Sequence, residues 1–241
     1  MRSAPVIELA DCQSTSSLLK DMTRRGAEAG TVLWARRQSQ GRGRSGRSFL
    51  SPEGGLYLSV LWRPATAPRQ AACLSCAAAL AVCRAVENCC GLSPQIKWPN
   101  DLLIKGKKVC GILAEGIDAG GFALVLGVGL NVNTAKFPPE LVEKASSLAL
   151  LSGRAYDIGA LAEEVISQLD SIYAAWGAEG AAFLEEYRRR SLPMGRHILS
   201  HRGEKLEEAQ PIAIEPDYSL RLRWQDGTVE NKSFGEIFEL D

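Results

Sequence analysis

Residues 31–62 read TVLWARRQSQGRGRSGRSFLSPEGGLYLSVLW, and the fold turns on how this stretch is divided. Residues 31–35 form an apolar run of strand length, and residues 56–62 form another, with Leu56, Leu58, Val60 and Trp62 alternating along one face. Residues 36–55 between them are rich in glycine and arginine. A flexible basic tail would hang free, whereas this segment is tied at both ends, so it reads as a loop held by two strands.

Working outward, a short helix is expected after Ser14, where Leu18, Leu19 and Met22 give a partial apolar stripe, a hydroxyl residue can cap the start and Gly26 can close the end. Downstream, residues 69–88 read as a long buried helix, and residues 95–98 and 109–115 as strands. Residues 122–131 form a further strand in which Phe122, Leu124, Leu126, Val128 and Leu130 share a face. Asp157 is placed to cap an amphipathic helix carrying Ile158, Leu161, Val165, Ile166, Leu169, Ile172 and Tyr173. Near Pro193 the helical period stops. HILSHRGEKLEE, PIAIE, SLRLRW and VENKSF then read as short strands, with Asp226-Gly227 a hairpin turn, so a small barrel is expected to follow an α/β body.

The chain has 241 residues, with 28 Lys and Arg against 28 Asp and Glu, and 46% hydrophobic content, the profile of a globular protein rather than a disordered or fibrous one. A net charge of zero gives no general attraction to nucleic acid or anionic membrane, so electrostatic function has to come from local clusters. The apolar stretch at residues 71–83 is shorter than the ~20 residues a bilayer crossing needs. Glu8 and Asp11 stand where a signal peptide would be apolar, so a cytoplasmic chain is expected. Seven cysteines without framework spacing imply reduced thiols. Cys73 and Cys76 form a CxxC in an Ala-rich helical stretch, where buried thiols are the better reading than a metal or redox pair. The only histidines, His197 and His201 in HILSH, have a spacing that suits one helix face but lack the glutamate of a zinc-protease motif. Scarce histidine also argues against Ser-His or Cys-His nucleophilic chemistry.

Four motifs carry chemistry. The first is the loop, with Arg36, Arg37, Arg42, Arg44 and Arg47 interleaved with Gly41, Gly43 and Gly46 and no acid between Glu28 and Glu53. Guanidinium forks match phosphate and carboxylate oxygens, and glycines let the backbone approach an anion, although a solvated basic loop or an RGG-like segment has the same composition. The second is KWPNDLL at residues 97–103, where Asn100 and Asp101 project after Pro99; alone it is also ordinary turn chemistry. The third is KGKKVCGILAEG, in which Lys108 enters an apolar strand and could meet an oxyanion, or could be a solvated hairpin lysine. The fourth is LGVGLNVN, where Gly127 and Gly129 alternate inside a strand and suggest that something flat lies against it.

In this order and spacing, GRGRSGR, KWPND, KVCGIL and GVGLN resemble the biotin protein ligases, also called biotin–[acetyl-CoA-carboxylase] ligases. The resemblance runs from Ser14 to the closing GEIFEL, whose Gly235-Glu236-Ile237 looks like the family's final barrel strand. It implies an α/β (α+β) fold: a mixed β-sheet catalytic domain flanked by helices, similar to class II aminoacyl-tRNA synthetase-like ligases, over residues 1–190, and a small C-terminal SH3-like β-barrel over residues 191–241.

It also implies activation of biotin with ATP and Mg²⁺ to biotinyl-5′-AMP, then transfer to one lysine of a biotin carboxyl carrier domain of acetyl-CoA carboxylase or another biotin-dependent carboxylase. By similarity, Ser14, Thr15, Ser16, Gln38, Arg42, Gly43, Arg44, Lys108, Gly111 and Gly129 contact biotin, and Arg44, Arg47, Phe49, Asn100 and Asn131 contact ATP. Lys108, Arg42 and Asp101 are the catalytic candidates; Asp101 matches a residue that assists the metal or accepts the proton of the incoming lysine, an alternative the sequence leaves open. Ser16 departs from the family's usual Asn, and Phe49 from its usual Trp, which keeps a π face but loses the indole donor. With Ser14 so near Met1, a preceding helix-turn-helix is not expected, so the resemblance implies a monofunctional ligase with neither a nucleic-acid nor a membrane partner, and it leaves a homodimer open. The rivals are a lipoate-protein ligase or octanoyltransferase, which in the second case needs a nucleophilic cysteine such as Cys110, and a nucleic-acid-binding module using the arginine loop.

Overall fold

The computed structural model of the chain describes residues 4–65, 71–192, 194, 196–233, 235 and 237–239. In chain order the first part comprises β1 (Val6–Leu9), α1 (Thr15–Arg24), β2 (Val32–Ala35), a 3₁₀ turn at Arg44–Gly46, β3 (Leu56–Trp62) and α2 (Ala71–Cys90). Then come β4 (Gln95–Lys97), β5 (Asp101–Ile104), β6 (Lys107–Asp118), β7 (Phe122–Leu130), α3 (Pro139–Val142), α4 (Leu148–Ser152) and α5 (Ile158–Arg190). The C-terminal part is β8 (Ile198–Arg202), β9 (Lys205–Ile214), β10 (Leu220–Trp224), β11 (Val229–Lys232) and β12 (Ile237–Glu239).

Seven strands form one mixed sheet in the order β1-β2-β3-β7-β6-β5-β4. Its β1–β2 pair is parallel and the others are antiparallel. Alternation assigns the two faces. Leu56, Leu58, Val60 and Trp62 of β3, with Leu124, Leu126, Val128 and Leu130 of β7, bury against α2 and α5. Leu33, Leu61, Ala123 and Val125 point the other way and meet Leu19 of α1. The short α1 covers only part of that second face, and the uncovered part becomes the floor of a cavity.

The five C-terminal strands form a separate antiparallel sheet in the order β11-β10-β9-β8-β12. The turn between β9 and β10 docks it on the body: the Trp98 indole N–H donates to Tyr218 O at 2.9 Å, Cys73 Sγ–H to Asp217 O at 3.2 Å and Arg188 Nε to Ile214 O at 2.9 Å.

The expected strands and helices are present, with several differences. β1 and β5 were not anticipated; Asp101, expected in a turn, opens β5. α3 and α4 are equally short. α5 continues past Tyr173 to Arg190, where Phe183 and Tyr187 join the core. KLEE and PIAI form one strand, with Pro211 next to a bulge opposite Arg221 and Leu222. HILSH lies in and before β8, as its reading as a strand implied; His197 Nδ1 meets Glu208, and no group of three or more metal-ligating side chains occurs among the described residues.

The span 73–90 of α2 is long and apolar enough to cross a membrane, which corrects the shorter stretch read from the sequence; 72% of it is buried between the sheet and α5, the position of a core helix. Arg69, Pro193 and Glu236 lie outside the described residues.

Candidate active site

The uncovered face holds a cavity of about 410 Å³, walled by the first turn of α1, the arginine loop, β5 to β7, residues 137–145 and the segment leading into β12. All fifteen residues selected from the sequence line it: Ser14, Thr15, Ser16, Gln38, Arg42, Gly43, Arg44, Arg47, Phe49, Asn100, Asp101, Lys108, Gly111, Gly129 and Asn131.

One wall is made of hydroxyls. Ser14 caps α1, accepting from Ser17 N–H at 3.4 Å, and so places Thr15 and Ser16 in the first helical turn. Thr15 N–H donates to Gln38 Oε1 at 2.8 Å, and Thr15 Oγ1 lies 3.1 Å from the same oxygen. Ser59 of β3, fully buried, sits 2.8 Å from Thr15 Oγ1 and 2.9 Å from Ser16 Oγ. Gln38 Nε2 donates to Ser51 Oγ at 3.1 Å, and Ser51 donates to Phe49 O at 2.9 Å. Ser59 and Ser51 carried no motif. The one available signal for Ser59 was a lone hydroxyl inside the apolar run LYLSVLW, on the face opposite Leu56 and Leu58.

The arginine loop is a small hairpin. Arg42 pairs with Ser48, Phe49 N–H donates to Gly41 O at 2.9 Å, and the 3₁₀ turn closes its tip. A Cβ on Gly41 would lie 2.2 Å from Ser51 Oγ and 2.3 Å from Phe49 O, so this hairpin needs glycine there. Arg44 Nη1 donates to Asn100 Oδ1 at 3.3 Å and to Gly235 O at 3.2 Å, joining the loop to the C-terminal sheet. Burial pulls the Arg44 guanidinium below its ordinary pKa, with the Asp101 carboxylate opposing that shift. Arg42 Nη2 donates to Glu115 Oε1 at 3.2 Å, an oxygen it shares with Lys20 at 2.6 Å. Glu115 is a further residue the motifs did not single out.

Lys108 and Asp101 form the charged centre. Lys105 and Gly106, both at positive φ, make the tight turn from β5 into β6. Cross-strand pairing then shifts from Leu103–Lys108 to Leu102–Cys110, leaving Val109 as an extra residue. In an uninterrupted strand, positions 108 and 111 would face opposite sides; the bulge brings both to the cavity. Lys108 Nζ lies 2.6 Å from Asp101 Oδ2, and Asp101 sits directly across from Gly111, which is itself across from Gly129. Asn100 is held by its amide donating to Ile112 O. Asn131 donates through Nδ2 to Ser146 O at 3.1 Å, while its buried Oδ1 has no partner among the described residues.

A Cβ on Gly129 would come within 2.6 Å of the Phe49 ring, and one on Gly127 within 2.7 Å of Ser16 Oγ, so both strand glycines leave room for side chains of the cavity wall. Phe49 also lies over Gly111, with Lys108 Nζ 6.0 Å from its ring centroid.

The thiols are elsewhere. Cys110 is fully buried in the core on the α2 side, and burial raises its pKa well above the ordinary value. Burial likewise pushes Cys76 up to about 12. In both, burial disfavours the thiolate form that a nucleophile needs.

A family model described as "Biotin/lipoate A/B protein ligase family" matches residues 8–133. The "Bifunctional ligase/repressor BirA" of Bacillus spizizenii is 34% identical over 220 residues, which cover 89% of this chain and 68% of that protein. The "Biotin--[acetyl-CoA-carboxylase] ligase" of Mycobacterium tuberculosis is 37% identical over 196 residues, 79% of this chain and 72% of that one. Among solved structures, the biotin protein ligase from Aquifex aeolicus in complex with biotin and ATP superposes with a TM-score of 0.85 at 28% identity, covering 96% of this chain and 97% of the other.

Proposed function

This chain belongs to the biotin/lipoate A/B protein ligase family, and from that premise we propose the following account of its chemistry. It is an ATP-dependent biotin ligase: it joins the biotin carboxylate to AMP, releasing pyrophosphate, and passes the biotinyl group to a lysine of a biotin carboxyl carrier. The observation that carries the site assignment is the convergence of a cationic hairpin, the Lys108–Asp101 pair and a hydroxyl-lined wall on one cavity.

In the first step a carboxylate oxygen attacks the α-phosphorus and the P–O bond to pyrophosphate breaks. Two anions must approach, and Lys108 with Arg42, Arg44 and Arg47 offsets that repulsion. The hairpin keeps water from the mixed anhydride, whose hydrolysis would waste the activated group. In the second step the carrier lysine, as a free amine, attacks the acyl carbon; AMP leaves, and Asp101 takes the amine's proton. Asn131 Oδ1, buried and unpartnered, is a suitable acceptor for the exocyclic amine of adenine, and Phe49 offers that base a π face.

Among the described residues the cavity wall carries one carboxylate, Asp101, a hard oxygen ligand of the kind Mg²⁺ takes. Asp101 is the residue that would hold the ion, which would supply charge neutralisation on the phosphates when bound with the nucleotide. We assign residues 1–190 to the catalytic unit and residues 191–241 to the C-terminal β unit.

Incubation with biotin, Mg-ATP and a carrier domain, followed by mass measurement, tests the reading. One biotinyl group should be added, undiminished by lipoate or octanoate as competitors. Transfer of lipoyl or octanoyl in preference, or transfer without ATP, would overturn it.

A further inference from the structure

Backbone atoms at both ends fix the order of protons along the hydroxyl wall. Thr15 N–H can only donate, so the Gln38 atom 2.8 Å away is its oxygen. Phe49 O can only accept, so Ser51 spends its proton there at 2.9 Å and must accept from Gln38 Nε2 at 3.1 Å. The two ends agree on the same amide orientation.

The rest follows by elimination. Thr15 Oγ1 gives its single proton to Gln38 Oε1 at 3.1 Å, so towards Ser59, 2.8 Å away, it accepts. Ser59 has then used its own proton and accepts from Ser16 at 2.9 Å. Ser16, on the cavity wall, is left facing it with lone pairs only. Ser14 has the opposite polarity, since its oxygen takes Ser17 N–H at 3.4 Å and its proton remains for the cavity.

We infer that Ser59, buried and outside the cavity wall, is a positioning residue for substrate selection: it makes Ser16 an obligate acceptor for a ring N–H of a cyclic urea. This rests on biotin being the substrate. A urea offers one carbonyl flanked by two N–H groups, matching a donor at Ser14 and an acceptor at Ser16, whereas a dithiolane or an alkyl chain has no N–H to give. It also accounts for serine at position 16, where the family's usual asparagine has a built-in acceptor. A serine can be either donor or acceptor, and Ser59 removes that freedom.

Ser59→Ala releases the Ser16 proton and should raise the calorimetric Kd for biotin by about five- to tenfold, the size of a neutral hydrogen bond lost from a buried site. Desthiobiotin, which keeps the urea but lacks the sulfur ring, should weaken by the same factor, while the Kd for ATP stays within about twofold. Ser59→Thr, which retains the hydroxyl, should restore biotin affinity, and Ser16→Ala combined with Ser59→Ala should lose less than the product of the two single losses. A biotin Kd for Ser59→Ala within twofold of wild type, equal losses for biotin and ATP, or multiplicative losses in the double variant would overturn the inference. A wild-type chain that binds biotin without adenylating it would refute the proposed function, and the Kd ratios would still decide the role of Ser59. A chain that does not bind biotin at all would refute both.

Discussion

Replacing Lys108 with alanine removes the ammonium that stands 2.6 Å from Asp101 Oδ2. Two unit charges ~4 Å apart at an effective dielectric of ~20 interact by ~4 kcal/mol. The Lys108 and Asp101 side chains are 36% and 31% exposed, so solvent screening leaves roughly 2–3 kcal/mol acting on an anion in the cavity. At ~1.4 kcal/mol per tenfold, that is about 30- to 150-fold in rate. The substitution also leaves the Asp101 carboxylate uncompensated and facing two anionic reactants, which pushes the loss towards ~10³. Pyrophosphate release in the absence of carrier isolates the adenylation step. Lys108→Ala should slow it by 10²- to 10³-fold, on the order of a lost transition-state donor, with an unchanged thermal melt. A Lys108→Ala variant within about fivefold of wild type in pyrophosphate release would refute this electrostatic reasoning.

Arg44→Ala cuts the tie from the hairpin to Asn100 and Gly235, so the adenylate should dissociate faster, which a filter-retention or stopped-flow assay would read; unchanged retention would count against it. Gly41→Ala forces a Cβ to within 2.3 Å of a backbone oxygen, and it should destabilise the hairpin by ~1–3 kcal/mol and weaken biotin binding; an unchanged calorimetric Kd would show that the hairpin tolerates it. Iodoacetamide should label exposed Cys89 before any other cysteine and leave ligation intact, because Cys110 is buried with a raised pKa; labelling of Cys110 with loss of activity, read by peptide mass spectrometry, would favour the acyl-transfer rival.

Periodicity was enough for the long elements: α1 with a hydroxyl cap, which the structure places at Ser14, β3, β7, and the start of α5 at Asp157 follow from alternation, apolar stripes and capping chemistry. β1 and β5 were not legible, since VIEL and DLLI are held by pairing with their neighbours rather than marked by a pattern of their own. The motif residues were legible as chemical types, because guanidinium, ammonium, carboxylate and glycine each restrict what a position can do.

Their arrangement was decided by the tertiary structure. The bulge at Val109 turns both Lys108 and Gly111 towards the cavity, which strict alternation forbids, and the register of β5 on β6 sets Asp101 beside Lys108. Ser59 acquires its role because β3 passes beneath the first turn of α1, and Phe49 lies against Gly129 because the hairpin folds back over the sheet. Local sequence determines which groups a chain can offer and where its backbone can turn. Distances between groups far apart in sequence depend on register, bulges and packing, which arise only when the whole sheet assembles.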